Sequence, residues 1–109
     1  LEHEPLILRE AGSNTQRTVA LGFRERGFSK SPALVLGSRE AVVAAVVMKL
    51  GVGFAYDREV ACDDRIKALS VADLRCENVE QVAWLNAHEN MQSVAAFVGC
   101  AESLDDTLV

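Results

Sequence analysis

No run of lysine or arginine occurs in these 109 residues, and eleven basic side chains face sixteen acidic ones for a formal net charge of −5. A track for phosphate backbones needs clustered positive charge, so a nucleic-acid surface is not expected on this chain. No apolar run approaches the ~20 residues of a membrane span; the longest is Ala41–Met48. Histidine is scarce. His3 and His88 each lack a second His or Cys at ligand spacing, so no metal is expected. The three cysteines, Cys62, Cys76 and Cys100, are odd in number and far apart. That suits neither a disulfide framework nor a zinc site, and free thiols in a reducing cytoplasm are expected.

Catalytic signatures are absent too. No glycine-rich loop runs into Lys and Ser or Thr, so no nucleotide P-loop is present. Ser13 and Ser38 have no His partner in the pattern and neither sits in a Gly-x-Ser-x-Gly elbow. Asp63-Asp64 and Asp105-Asp106 are adjacent carboxylates, which on a loop are solvated rather than paired for acid–base work. An enzyme is therefore not expected, nor a cofactor. Leu1 is not an initiator Met, so the chain is expected to be a fragment or a processed product.

What the sequence does hold is ordinary for a globular domain: 50% hydrophobic and 25% charged residues. The length is that of one domain or less, burying roughly two-thirds of its surface. Two similar units come first. Pro5–Glu10 reads as a short buried strand ended by Gly12, and Ser13-Asn14-Thr15 offers cap oxygens to a helix running to about Arg26, where Gly27 stops it. The plan repeats with a strand Ala33–Leu36, the cap Ser38 and a helix Arg39–Leu50. Glu40 complements the positive end of that helix, and Gly51 is expected to supply its left-handed closing residue. Strand Val52–Tyr56 follows.

Strand–helix–strand–helix–strand with short loops specifies right-handed crossovers. The expectation is an α/β fold, a mainly parallel three-layer sheet with helices on both faces. Ala41 to Met48 leaves no polar stripe, so the second helix is expected to be buried all round. Val19 and Phe23 form the apolar stripe of the first helix. Beyond Tyr56 the expectations are a short helical turn in Asp57–Asp64, strands over Ile66–Val71 and Val79–Leu85, and a helix over Met91–Glu102. Trp84 reads as core or interface.

Pro5-Leu6-Ile7-Leu8-Arg9-Glu10-Ala11-Gly12-Ser13-Asn14-Thr15-Gln16-Arg17 resembles the entry to the second subdomain of LysR-type effector domains, where a Gly-Ser-x-Thr-Arg loop opens a helix. Gly37-Ser38-Arg39-Glu40-Ala41-Val42, followed by Leu50-Gly51-Val52-Gly53, is similar to that family's next element. Ala11 departs from the family's usual Pro, and Gln16 intervenes before Arg17. Among branches, the Gly37–Val42 string and Asp57-Arg58-Glu59 look closest to regulators associated with 2-aminoethylphosphonate catabolism.

The resemblance covers nearly the whole chain. It implies one lobe of a periplasmic-binding-protein-like (type 2) bilobal fold: residues 5–75 as the second subdomain, 76–109 as a returning strand and terminal helix. It further implies a DNA-binding domain outside this chain, and DNA binding only through that domain. The partners implied are a small-molecule effector, an anion such as a phosphonate or carboxylate, and further copies of the chain in a homodimer or higher oligomer. In the family the first helix packs on a partner subunit, which here would engage Val19 and Phe23.

The family's cleft lies at strand ends where helix N-termini point. By motif, Ser13, Asn14, Thr15, Ser38 and Arg39 are the candidate effector-binding residues, with Gly53 allowing close approach of backbone. The same serines and threonine also suit plain capping, and both readings stand on the residues alone. Arg9 and Glu10 read as a strand-end ion pair. Two other readings use the same architecture: a lobe of a periplasmic solute-binding protein serving transport, and an enzyme built on such a lobe, which the absent catalytic groups disfavour.

Overall fold

The computed structural model describes residues 1–71, 74 and 81–105. The chain divides into two compact units, Leu1–Glu77 and Asn78–Val109. The first unit is built on strand β1, Leu6–Arg9, whose Leu6 and Ile7 are fully buried. Helix α1 (Asn14–Glu25) starts where the Ser13 hydroxyl accepts the Gln16 N–H at 3.3 Å. It ends at Arg26, with Gly27 following in the left-handed region at φ +62°. After β2 (Leu34–Leu36), the Ser38 hydroxyl accepts the Ala41 N–H at 3.1 Å and opens α2 (Arg39–Val47). Strand β3 (Val52–Gly53) and the single turn α3 (Asp57–Val60) complete the regular elements of this unit.

The strand order is β2-β1-β3, and β1 pairs parallel with both neighbours. Leu8 lies opposite Val35, and Ile7 opposite Gly53. From β1 to β2 the chain moves one way across the sheet; from β2 to β3 it moves back. Two right-handed crossovers in opposite directions place their helices on opposite faces. Packing agrees with this. Ile7 is buried against Val42 and Ala45 of α2, while Leu6, which alternation turns to the other face, is equally inaccessible. The order of layers is therefore helix, parallel sheet, helix. At the start of the sheet, Lys30 in the α1–β2 connection donates to the carbonyls of Leu1, Glu2 and Glu4 at 3.2, 2.5 and 2.7 Å.

The second unit contains a 3-10 turn, Asn86–His88, and helix α4, Gln92–Asp105. No helix among the described residues is long and apolar enough to cross a membrane. Cys62 and Cys100 are free and exposed, and Cys76 lies outside the described residues.

Several expectations are corrected. The second helix is not buried all round: Val42 and Ala45 are buried, but Ala44 is exposed, and Met48, just past the helix end, is 69% exposed. One helix on a three-stranded sheet has only one face to cover, whatever its composition. It closes at Lys49, whose φ is +61°, not at Gly51. Ile66–Val71 runs outside any strand, and so do residues 81–85 of the expected strand Val79–Leu85, whose first two residues lie outside the described ones. A strand exists only by pairing, and neither stretch pairs among the described residues. On α1, Val19 is buried within the chain, and Phe23 meets Phe28 and Phe54 edge-on at 4.8 and 5.5 Å. Val19 is thus used within the chain, while Phe23, in contact with two rings, stays half-buried.

Gly51 has a different task. A Cβ there would collide with the carbonyl of Pro5, the same carbonyl that accepts the Val52 N–H at 2.9 Å. Gly51→Ala should therefore push β3 off β1 and lower unfolding stability by about 1–3 kcal/mol. Urea unfolding of the two proteins measures it; an unchanged midpoint would show that the junction yields without strain.

Candidate functional site

In a parallel sheet all carboxyl ends lie on one edge, and ligands collect where the strand order reverses. For the order β2-β1-β3 that point is between β1 and β3. The residues leaving those strands are Ser13–Thr15 at the start of α1 and Phe54–Tyr56 ahead of α3. A cleft of about 730 Å³ opens there and runs along β3, with Thr15, Thr18 and Tyr56 among its polar walls and Val43, Val46 and Leu74 among its apolar ones. The segment 66–71 also lines it. Just ahead of that segment, the Asp63 carboxylate takes the Arg65 guanidinium at 2.7 and 2.8 Å and the Arg65 N–H at 3.1 Å.

The expected site residues separate into distinct groups. Ser13 is buried, and Ser38 half-buried; each spends its hydroxyl oxygen on the cap of its helix. Asn14 is exposed and also has an interaction of its own. Arg39 lies outside the cleft, its guanidinium 3.1 Å from Glu59 and 3.3 Å from Glu40. Those carboxylates, Glu59 first, raise its pKa above the ordinary value. Gly53 lines the cleft, yet a Cβ on it would stand 2.6 Å from Val42 and 3.2 Å from Val46, so packing of α2 also requires its bare backbone. Thr15 lines the cleft, and its hydroxyl has no partner among the described residues.

Arg9 and Glu10 form the ion pair read from the sequence, closed by bonds of 2.8 and 3.0 Å. The hydrogen bond from Arg9 lowers the Glu10 pKa. Among the described residues no group of three or more His, Cys, Asp or Glu could hold a metal ion.

Two cleft residues escaped the sequence reading. The hydroxyls of Thr18 and Tyr56 stand 3.1 Å apart, joining α1 to the end of β3. Thr18 is one helical turn beyond Thr15 and shares its face, a periodicity visible in the sequence. Tyr56 carried no such signal, because its role depends on where β3 ends. Its N–H donates to Glu59 Oε2 at 3.0 Å, so the turn that presents the phenol is held by the same carboxylate that holds Arg39.

The sequence profile of the LysR substrate binding domain matches residues 1–105. The HTH-type transcriptional regulator CfxR of Cupriavidus necator is 28% identical over 88 residues, which are 81% of this chain and 27% of the relative. The chain thus spans about a quarter of that relative's length. No solved structure matches it.

The Asp63–Arg65 pair has a measurable signature. The guanidinium hydrogen bonds hold the Asp63 carboxyl at about 2, below its ordinary 3.8. A folded-state pKa below the unfolded one contributes stability above the unfolded value and loses it as pH falls through the folded one. The window here is from about 4 down to about 2. Carboxyl NMR should place the Asp63 midpoint near 2, and Arg65→Ala should raise it toward the ordinary aspartate range. An Asp63 midpoint indifferent to Arg65→Ala would show that the pair does not persist in solution.

Proposed function

Since the chain belongs to the LysR substrate binding domain family, we propose that it is the effector-sensing module of a bacterial LysR-type transcription regulator, binding a small anionic metabolite to control DNA binding by the full-length protein. The observation that carries this reading is Thr15. Its hydroxyl is the one side-chain group among the expected site residues that lines the cleft and is uncommitted among the described residues. A hydroxyl facing a cleft at a helix start, where backbone N–H groups and the helix dipole favour negative charge, suits an oxyanion.

Gly53, Thr18 and Tyr56 line the same cleft, and Ser13, Asn14, Ser38 and Arg39 stand at the helix starts next to its walls, within reach of a ligand larger than the cleft itself. The ligand class is a phosphonate or carboxylate, with 2-aminoethylphosphonate the first compound to try. Ligand bridging this lobe to a second one shifts the population of cleft geometries, and that shift passes to a DNA-binding domain in the cytoplasm.

The test is Thr15→Val in the full-length regulator, a near-isosteric change that removes only the hydroxyl. One lost hydrogen bond should raise the effector concentration for half-maximal response by about three- to tenfold, with thermal stability unchanged. A normal response across the full titration would make Thr15 a helix-start residue and nothing more.

We also propose that the chain forms a homodimer or larger species at micromolar concentration. Trp84 and Phe97 are 44% and 62% exposed, and apolar surface left in water costs about 25 cal/mol per Å². Sedimentation equilibrium should show association weakened by Phe97→Asp. A clean monomer well above that concentration refutes it.

A further inference from the structure

Two of the guanidinium groups near the carboxyl edge of the sheet are already matched to carboxylates. Arg9 is held by Glu10, and Arg39 by Glu59 and Glu40. Two guanidinium groups thus face three carboxylates, a surplus of one negative charge. An anion must displace a carboxylate to reach either of these two guanidinium groups. The bond from Arg39 to Glu40 joins sequence neighbours on α2, whereas the bond to Glu59 ties the first residue of α2 to α3, twenty positions on.

Glu59 is also the better placed of the two carboxylates. Its Oε2 accepts the Tyr56 N–H at 3.0 Å, which fixes the side chain while Oε1 takes Arg39 at 3.1 Å. At 26% exposure it is the more sheltered partner, against 75% for Glu40.

We propose that Glu59 is an internal competitor for Arg39, occupying the guanidinium that an anionic effector takes, so that it sets how tightly and how selectively this rim binds anions. The inference rests on the effector-binding reading above. It adds a selection rule: an anion must outbid a carboxylate that is already tethered, which favours groups offering two or three oxygens to the planar guanidinium fork over those offering one. When an anion takes Arg39, Glu59 keeps its bond to Tyr56, and the α2–α3 tie opens beside the cleft.

The experiment is an inorganic phosphate titration of the 109-residue chain at low ionic strength, followed by amide NMR and by the Arg39 side-chain N–H signal. Glu59→Gln keeps an oxygen for the Tyr56 N–H but removes the charge. Exposed ion pairs are individually weak, so phosphate should bind this variant about three- to fivefold more tightly than the wild type. The shifts should centre on the amides of residues 38–41 and on Arg39. Glu2→Gln makes the same charge change ahead of β1, at the opposite edge of the sheet, and should give no such gain. Glu59→Ala should give the gain as well, and Arg39→Gln in the Glu59→Gln background should abolish it.

Phosphate binding to Glu59→Gln no tighter than to Glu2→Gln, or a gain that survives loss of Arg39, would overturn the proposal. Thr15 takes no part in this measurement, so its result stands apart from the test of effector response.

Discussion

Strand β1 is hydrogen-bonded along both edges to strands running the same way. Parallel neighbours cannot be joined by hairpins, so each demands a crossover long enough to carry a helix. Because one neighbour lies on each side, the two crossovers travel in opposite directions and their shared handedness forces the helices apart onto the two faces. Leu6 and Ile7, side by side in sequence and both inaccessible to solvent, record that arrangement: one is required by each layer. The reversal of direction also sets a cleft at the carboxyl edge, beside the starts of α1 and α3. The cleft is thus a by-product of how the core is closed.

Much of this plan is legible in the residues. The paired strand-and-cap units are visible because Ser13 and Ser38 each stand between a short apolar run and a helical pattern, and both do accept a first-turn N–H. The places where the sequence misleads are those where composition speaks and geometry decides. An all-apolar α2 suggests burial on every side, yet a helix in a small layer has a single sheet to face. Gly51 looks like a helix stop, but Lys49 takes the left-handed turn, and the glycine is needed two residues later for the approach to Pro5. The phenol of Tyr56 reaches Thr18 across thirty-eight positions, a contact that no local pattern announces.

The electrostatics of the edge follow from the same geometry. Charged residues cluster where strands end, because the chain there leaves the sheet and meets water. Arg9 pairs with its neighbour Glu10 and Arg39 with Glu59, so the cations are neutralised in place. All these groups are solvent-accessible, and the bonds are individually weak. They therefore contribute little to holding the fold. Gly53 shows the opposite bias: it borders the cleft, yet its missing side chain already serves the packing of α2.

Ser13 and Ser38 are each tied to a helix start, whereas the hydroxyl of Thr15 answers to no partner among the described residues. In evolutionary terms the two kinds of position drift differently. Exchange at a capping serine is screened first by foldability, so few variants survive to be tried against new ligands. Exchange at Thr15 breaks no such capping bond, so more variants there survive the screen, and on the effector-binding reading proposed above each of them is open to trial against a new ligand.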